Sequence, residues 1–207
     1  MARGRPLLHM VVVLGAVGVA CHPATLLTRD EMRMSAAEHE KAASDEDAHT
    51  PSELGGMPGL DHRKRAEAHR AAAQALRQRE SQACAGKPDT VVGYPFASAG
   101  VVAAEPIREP WSRARAPSGR GQPPPRLVGA RITVHTALEP DVFESYLSCR
   151  AAHVRATGDD GTDPTAVHGA RVMVTRRDRT LLEVEIRADE ETRADDVLRR
   201  AQRLVAR

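Results

Sequence analysis

The sequence has few of the large aromatic side chains that fill protein cores. Among 207 residues there are one Trp, two Tyr and two Phe, which together make up 2% of the chain. So few large side chains cannot fill a core across the whole length, because core stability grows with the apolar area removed from water. The composition therefore predicts one small folded domain with weakly packed flanking segments.

An excess of charge of one sign is also lacking. The chain has 30 Lys and Arg against 28 Asp and Glu, and two of the arginines, Arg3 and Arg5, lie among the first five residues. The rest of the chain has 28 residues of each sign. A neutral chain lacks the overall basic charge that favours nucleic acid. We therefore expect no nucleic-acid partner.

The sequence contains no apolar run long enough to cross a bilayer as a helix. The longest run, residues 7–20, has 14 residues, whereas a membrane-spanning helix needs about 20. Arg3 and Arg5 precede this run, and a short basic segment followed by a short apolar one is typical of a secretory signal peptide. The pattern predicts that residues 1–20 are a signal peptide.

Cysteine is scarce, and the first of the three cysteines follows this run in the segment Gly18-Val19-Ala20-Cys21. The segment resembles the lipobox of bacterial lipoproteins. The resemblance implies that Cys21 is lipid-modified and becomes the first residue, with membrane lipid as its partner. Two or more acyl chains anchor a protein durably, since each buried methylene contributes roughly 0.8 kcal/mol. His22 follows in place of the Asp that marks inner-membrane retention, so the resemblance favours the outer membrane, facing the periplasm.

The other two cysteines, Cys84 and Cys149, then form an even pair. Outside the cytoplasmic membrane two remaining thiols favour a disulfide, which predicts a Cys84–Cys149 bridge. The alternative is a Zn or Cu site, since Cys149 and His153 lie one helical turn apart and Cys84 can be a third ligand. Four further histidines precede the domain and can add ligands: His39, His49, His62 and His69.

Sequence motifs for catalysis or cofactor binding are missing. There is no nucleophile elbow, phosphate loop, dinucleotide fingerprint or paired CxxC motif. Cys149 with His153 can be interpreted as a nucleophile and its base, but no orienting third residue accompanies them. We therefore predict no catalytic residues and no cofactor.

The chain before the domain divides into three segments. Residues 21–60 are expected to be the lipid anchor and a polar, partly helical tether, with capping-box patterns at Thr28–Glu31 and Ser35–Glu38. Residues 61–86 are rich in Ala and Arg and predict an exposed helix that can lean on the domain. Residues 87–126 are expected to be irregular and to end in a Pro/Arg/Gly-rich linker, with two short apolar runs, 91–92 and 101–104, that can each be an edge strand or a loop.

Residues 127–207 carry clear periodicities. Apolar residues alternate at 130–134, 170–174 and 182–186, whereas those at 143–154 and 194–205 recur at helical spacing. The order β-α-β-β-α predicts an α+β fold, a small two-layer sandwich like an incomplete ferredoxin-like domain. Arginines at 171–179 are followed by acidic residues at 183–191, which indicates a solvated sheet face rather than a basic ribbon.

Two hypotheses follow. The first is a membrane-anchored, non-catalytic envelope lipoprotein that binds or supports an envelope protein. The second is a metal-binding lipoprotein that uses Cys149, His153 and Cys84.

Overall fold

The computed structural model describes residues 26–49, 58–88, 95–110 and 124–206. The predicted signal peptide, Cys21, the apolar run 91–92 and most of the proline-rich linker lie outside these ranges. The helices are α1 (Ala36–His49), α2 (Pro58–Cys84), the one-turn α3 (Pro95–Ser98), α4 (Pro140–Thr157) and α5 (Glu191–Val205). The strands are β1 (Gly100–Glu109), β2 (Arg126–His135), β3 (Arg171–Arg176) and β4 (Leu181–Arg187).

The four strands form one sheet in the order β1-β2-β4-β3, and every neighbouring pair is antiparallel. Helix α4 packs over β3, and α5 packs over β1 and β2. Side chains from both helices join the strands in one apolar core, so both lie on the same sheet face. The predicted α+β class and the β-α-β-β-α order of the domain are confirmed.

The two faces of the sheet differ as the alternation predicts. Ile132 and Val184 are fully buried on the helix-covered face. On the other face Arg131 pairs with Glu183 (3.0 Å) and with Glu185 (2.7 Å) on the neighbouring strand. Rows of opposite charge across antiparallel strands stabilise a solvated face. The expected solvated face is confirmed on β3, where Arg171, Met173 and Thr175 are exposed, whereas Glu185 on the central strand β4 is buried between arginines.

The expected domain boundary at Leu127 is wrong. Residues 87–126, expected to be irregular, include α3 and the strand β1, which lies along the otherwise open edge of β2. For the run 101–104, which could be an edge strand or a loop, the edge strand is thus confirmed. Ile107 is the only residue of β1 that is classed as buried, so its apolar pattern is weak. Pro106 is tolerated because an edge strand has one side free of partner strands. β1 takes the place that a C-terminal strand takes in a ferredoxin-like sheet, so the sandwich is complete.

The N-terminal helices are present, and their facing sides are buried. Helices α1 and α2 pack as an antiparallel hairpin, and α2 packs on α4. The interface consists mainly of small residues, including Ala36 and Ala43 from α1 with Ala66 and Ala73 from α2. Alanine lets the helix backbones approach closely, so a polar helix with little apolar area still has a packed face.

Both predicted capping boxes are confirmed. The Ser35 N–H donates to a Glu38 carboxylate oxygen (2.6 Å), and the Glu38 N–H donates to the Ser35 hydroxyl (3.3 Å). Thr28 and Glu31 make the same reciprocal pair at 2.6 and 3.2 Å. The Thr28 N–H is the main cause that lowers the pKa of Glu31 to about 2. The two capping boxes hold the chain in a defined conformation from Thr28 to the start of α1. The folded part of the chain therefore begins well before residue 60, the expected end of the tether.

Candidate functional site

Cys84 and Cys149 are joined by a disulfide, with sulfur atoms 2.04 Å and Cα atoms 4.8 Å apart. Cys84 is the last residue of α2, and Cys149 is a fully buried residue of α4. The bond spans 65 positions of sequence and fastens the hairpin to the α/β sandwich.

The disulfide removes the metal-ligand set that the spacing of Cys149 and His153 suggested. Both sulfurs are bonded to each other, so neither Cys84 nor Cys149 is a thiolate that can bind Zn or Cu. The His153 ring is paired instead with the Glu80 carboxylate of α2, Nδ1 to Oε1 at 2.6 Å. Across the part of the chain that the structure describes, no three His, Cys, Asp or Glu side chains are arranged to hold a metal ion.

Two histidines form a buried contact between α1 and α2. The Nδ1 atoms of His39 and His69 lie 2.9 Å apart, and their side chains are nearly inaccessible to solvent. One ring must donate its Nδ1–H and the other must accept, so the contact fails if both rings are protonated. The Glu31 carboxylate lies 3.7 Å from the Nε2 atom of His69. The hairpin interface is therefore sensitive to protonation.

We expect mild acid to weaken the hairpin. Burial, followed by the charge of His69, lowers the pKa of His39, while Glu38 and Glu31 act in the opposite direction. The unfolded chain takes up this proton near pH 6.5, whereas the folded chain takes it up only at lower pH. Stability is therefore full above that pH and is lost as the pH falls below it. One proton contributes at most about 1.4 kcal/mol per pH unit.

Urea unfolding at pH 7.5 and at pH 5.0 measures this loss. The His39→Asn variant keeps a hydrogen-bonding side chain but has no titratable group, so its free energy of unfolding should fall less between the two pH values. His135→Asn is the matched control, since His135 is exposed at the end of β2 and should lose as much stability as the wild type. Equal losses in all three proteins would contradict a role for His39.

An open cleft of about 320 Å³ lies on the hairpin beside this pair. His62 contacts Glu46 (2.5 Å), and Arg65 donates to Glu46 (2.7 Å) and to Glu31 (2.5 Å). The rings of His49 and His62 stack with their centroids 5.9 Å apart. The two carboxylates thus have cationic or imidazole partners inside the cleft. Met34 and Ala42 also line the cleft, so that its exposed surface is mainly apolar and is bordered by carboxylate and imidazole groups.

The spacing of alanines around His39 and His69 indicates that both histidines are buried, although the composition of the two helices does not. Ala36, His39 and Ala43 are spaced i, i+3 and i+7, and Ala66, His69 and Ala73 have the same spacing. Each histidine thus lies on the alanine face of its helix. The partner of each ring, in contrast, depends on the register of the hairpin.

None of the helices within the described ranges is long and apolar enough to span a membrane. The chain matches no protein-family model, no curated protein and no solved structure.

Proposed function

We propose that the chain is a lipid-anchored protein of the bacterial envelope, attached to the outer membrane through Cys21, that acts without catalysis by binding or supporting an envelope protein. The observation that carries this proposal is the Cys84–Cys149 disulfide. Structural disulfides form and persist in oxidising compartments such as the periplasm and are rare in the cytosol. The bond thus supports the destination that the signal-peptide pattern of residues 1–20 predicts.

The start of the folded body supports a short distance between the protein and the membrane. Leu26 already contacts α2, because its carbonyl oxygen accepts a hydrogen bond from Arg65 (3.4 Å). Cys21 is five positions earlier, a distance of at most about 18 Å even in a fully extended chain. The lipid would therefore hold the start of the folded body close to the membrane surface, where Arg29 contacts Glu190 of the sandwich (3.4 Å).

The hairpin cleft supports the binding role. It combines imidazole and carboxylate groups from both helices of the hairpin with Met34 and Ala42, and the disulfide holds α2 to the sandwich. The exposed lining of this cleft is more apolar than polar and is framed by paired charged groups, an arrangement that is found where an apolar interface core meets its polar rim. We therefore assign the hairpin as the surface that meets the partner.

Membrane fractionation tests the anchor. The full chain and its Cys21→Ser variant are expressed in a bacterium with an outer membrane, and membranes are washed with high salt before detergent extraction. The wild type should stay in the outer-membrane fraction until detergent is added, whereas Cys21→Ser should not.

The control removes the other two cysteines together. The Cys84→Ala/Cys149→Ala variant has the same Cys21 and should remain in the membrane fraction, which separates loss of the lipid from loss of the disulfide. Equal fractionation of the wild type and Cys21→Ser would contradict the proposal.

A further inference from the structure

The buried contact between His39 and His69 can hold one additional proton but cannot hold two. The two neutral rings have one N–H each, and one of these can lie in the 2.9 Å between the two Nδ1 atoms. A third ring proton goes to an Nε2 atom and leaves this hydrogen bond in place. A fourth puts an N–H on both Nδ1 atoms, so that two positively charged rings face each other without an acceptor between them.

We propose that this pair is a proton-sensitive switch, which separates the two rings in mild acid while the two ends of α2 keep their contacts. Both side chains are almost fully buried, with 2% of His39 and 1% of His69 exposed. Burial penalises a charged group, so the second proton is accepted only when the rings separate and reach water. The open hairpin therefore binds at least one more proton than the closed hairpin.

The charged groups around the pair come from α1, from α2 and from the turn before α1. Glu31 in this turn lies 3.7 Å from Nε2 of His69 and is also bound by Arg65 of α2. Burial, and then the charge of His69, lowers the pKa of His39, whereas the charges of Glu38 and Glu31 act in the opposite direction. These carboxylates favour a first proton on the pair, but the 2.9 Å between the Nδ1 atoms leaves no room for an acceptor of the second.

A different histidine contact holds the tip of the hairpin, where the end of α1 meets the start of α2. His62 lies 2.5 Å from the Glu46 carboxylate, which also accepts a hydrogen bond from Arg65 (2.7 Å). The hydrogen bonds from Arg65 and then from His62 lower the pKa of Glu46, so this carboxylate stays ionised in mild acid. Protonation of His62 places a positive charge opposite it and strengthens the contact. The tip therefore stays closed when the pair opens.

The other end of α2 is held to the sandwich in a way that acid does not weaken. His153 of α4 lies 2.6 Å from the Glu80 carboxylate of α2, so its protonation also forms an ion pair. The disulfide between Cys84 and Cys149 follows one turn later and does not titrate. Helix α2 thus remains in place, and the separation of the rings is a movement of the first half of α1.

The opening would change the surface that we assign to the partner. Glu31 and His69 line the hairpin cleft, so separation of His69 from His39 alters one wall of it. For this role the switch rests on the proposed function, and partner binding would then depend on pH. The opening itself depends only on contacts within the folded body.

Amide exchange at pH 7.5 and at pH 5.0, corrected for the intrinsic rate at each pH, measures the opening. The full chain carrying Cys21→Ser is used, so that no lipid is needed. One extra proton in the open hairpin raises the open fraction about tenfold for each pH unit below 6.5, the usual pKa of histidine. A detached α1 is too short and polar to remain helical. The corrected exchange rate of residues 39–43 should therefore rise roughly 30-fold at pH 5.0, while residues 76–84 and β2 change little.

Two variants of α2 should shift this rise in opposite directions. His69→Asn keeps a hydrogen-bonding side chain but removes one of the two facing imidazoles, so the rise should fall to about threefold or less. His62→Asn removes the contact that protons strengthen, so the rise should be larger and should extend to the tip. His62 and His69 are seven positions apart on one face of α2, so a general effect of losing an imidazole would be the same in both.

His39→Asn repeats the first measurement from the other side of the pair, and it replaces His69→Asn if that variant is unfolded at pH 7.5. The switch is overturned if residues 39–43 show no rise, or if the rise is equal in the parent and in the variants His69→Asn and His62→Asn. An equal rise in β2 and β4 would also overturn it, because that is general unfolding. None of these results affects the fractionation test of Cys21, so the switch and the anchor fail separately.

Discussion

Replacing Cys84 and Cys149 together by alanine should lower the free energy of unfolding by about 4 kcal/mol. The disulfide closes a loop spanning 65 positions, and in the chain-entropy model a loop of this size stabilises the folded state by roughly that amount. This is a large share of the ~5–15 kcal/mol by which domains are usually stable. The loss of stability should be largest in α2, because the disulfide holds this helix against α4.

Chemical denaturation with and without reductant measures this effect. The oxidised wild type should unfold at a higher urea concentration, and the reduced wild type should match the double variant, because both lack the same bond. Amide exchange should accelerate in α1 and α2 far more than in β2 and β4, which have their own core. A loss below about 1 kcal/mol, or a uniform rise in exchange, would contradict this role of the disulfide.

Asp163→Ala should be the most damaging single substitution of a polar residue, costing about 3 kcal/mol. The carboxylate is almost fully buried. One oxygen accepts from the backbone N–H (2.8 Å) and the hydroxyl (2.7 Å) of Thr165, and the other accepts from Arg150 (3.2 Å). Removing it leaves buried donors without this acceptor, and a buried guanidinium loses its counter-charge.

Asp163→Asn separates the contribution of the hydrogen bonds to Thr165 from that of the charge that faces Arg150. The amide oxygen can still accept from Thr165, while the charge facing Arg150 is lost, so the variant should lose about half as much stability. Thermal and urea unfolding of both variants give the ranking. Equal losses would mean that only the charge matters, and a negligible loss in Asp163→Ala would contradict the whole account of this loop.

The sequence is sufficient to predict the elements that bury a continuous apolar face. Strands β2 and β4 alternate apolar residues with polar or charged ones, and α5 repeats its apolar residues at helical spacing, so each periodicity predicts its element. Their burial in the shared core is what the alternation requires.

Strand β1 was not predictable in the same way. It buries one residue fully, Ile107, and contains Pro106 near its C-terminal end. Its conformation depends on the open edge of β2, which begins 17 positions after β1 ends. Local propensity does not contain that information, so the apolar run 101–104 was compatible with both an edge strand and a loop.

The hairpin cleft could not be predicted from the sequence, because no single helix forms it. Alanine contributes little to an apolar periodicity, so the packed faces of α1 and α2 resembled exposed helices. The hairpin cleft joins Glu31 and Glu46 to His62 and His69 of α2, and no local spacing rule connects these parts of the chain. The Cys84–Cys149 bond, in contrast, could be predicted, because only these two cysteines remain once Cys21 is assigned to the lipid.

The most direct test of the central claim is the mass of the mature N-terminus. The full chain is isolated from bacterial outer membranes, and its intact mass and N-terminal peptide are measured before and after delipidation. The account predicts a chain that begins at Cys21 and carries a diacylglyceryl group on sulfur with an acyl chain on its amine. A mature chain that begins elsewhere, or that has an unmodified Cys21, would contradict it.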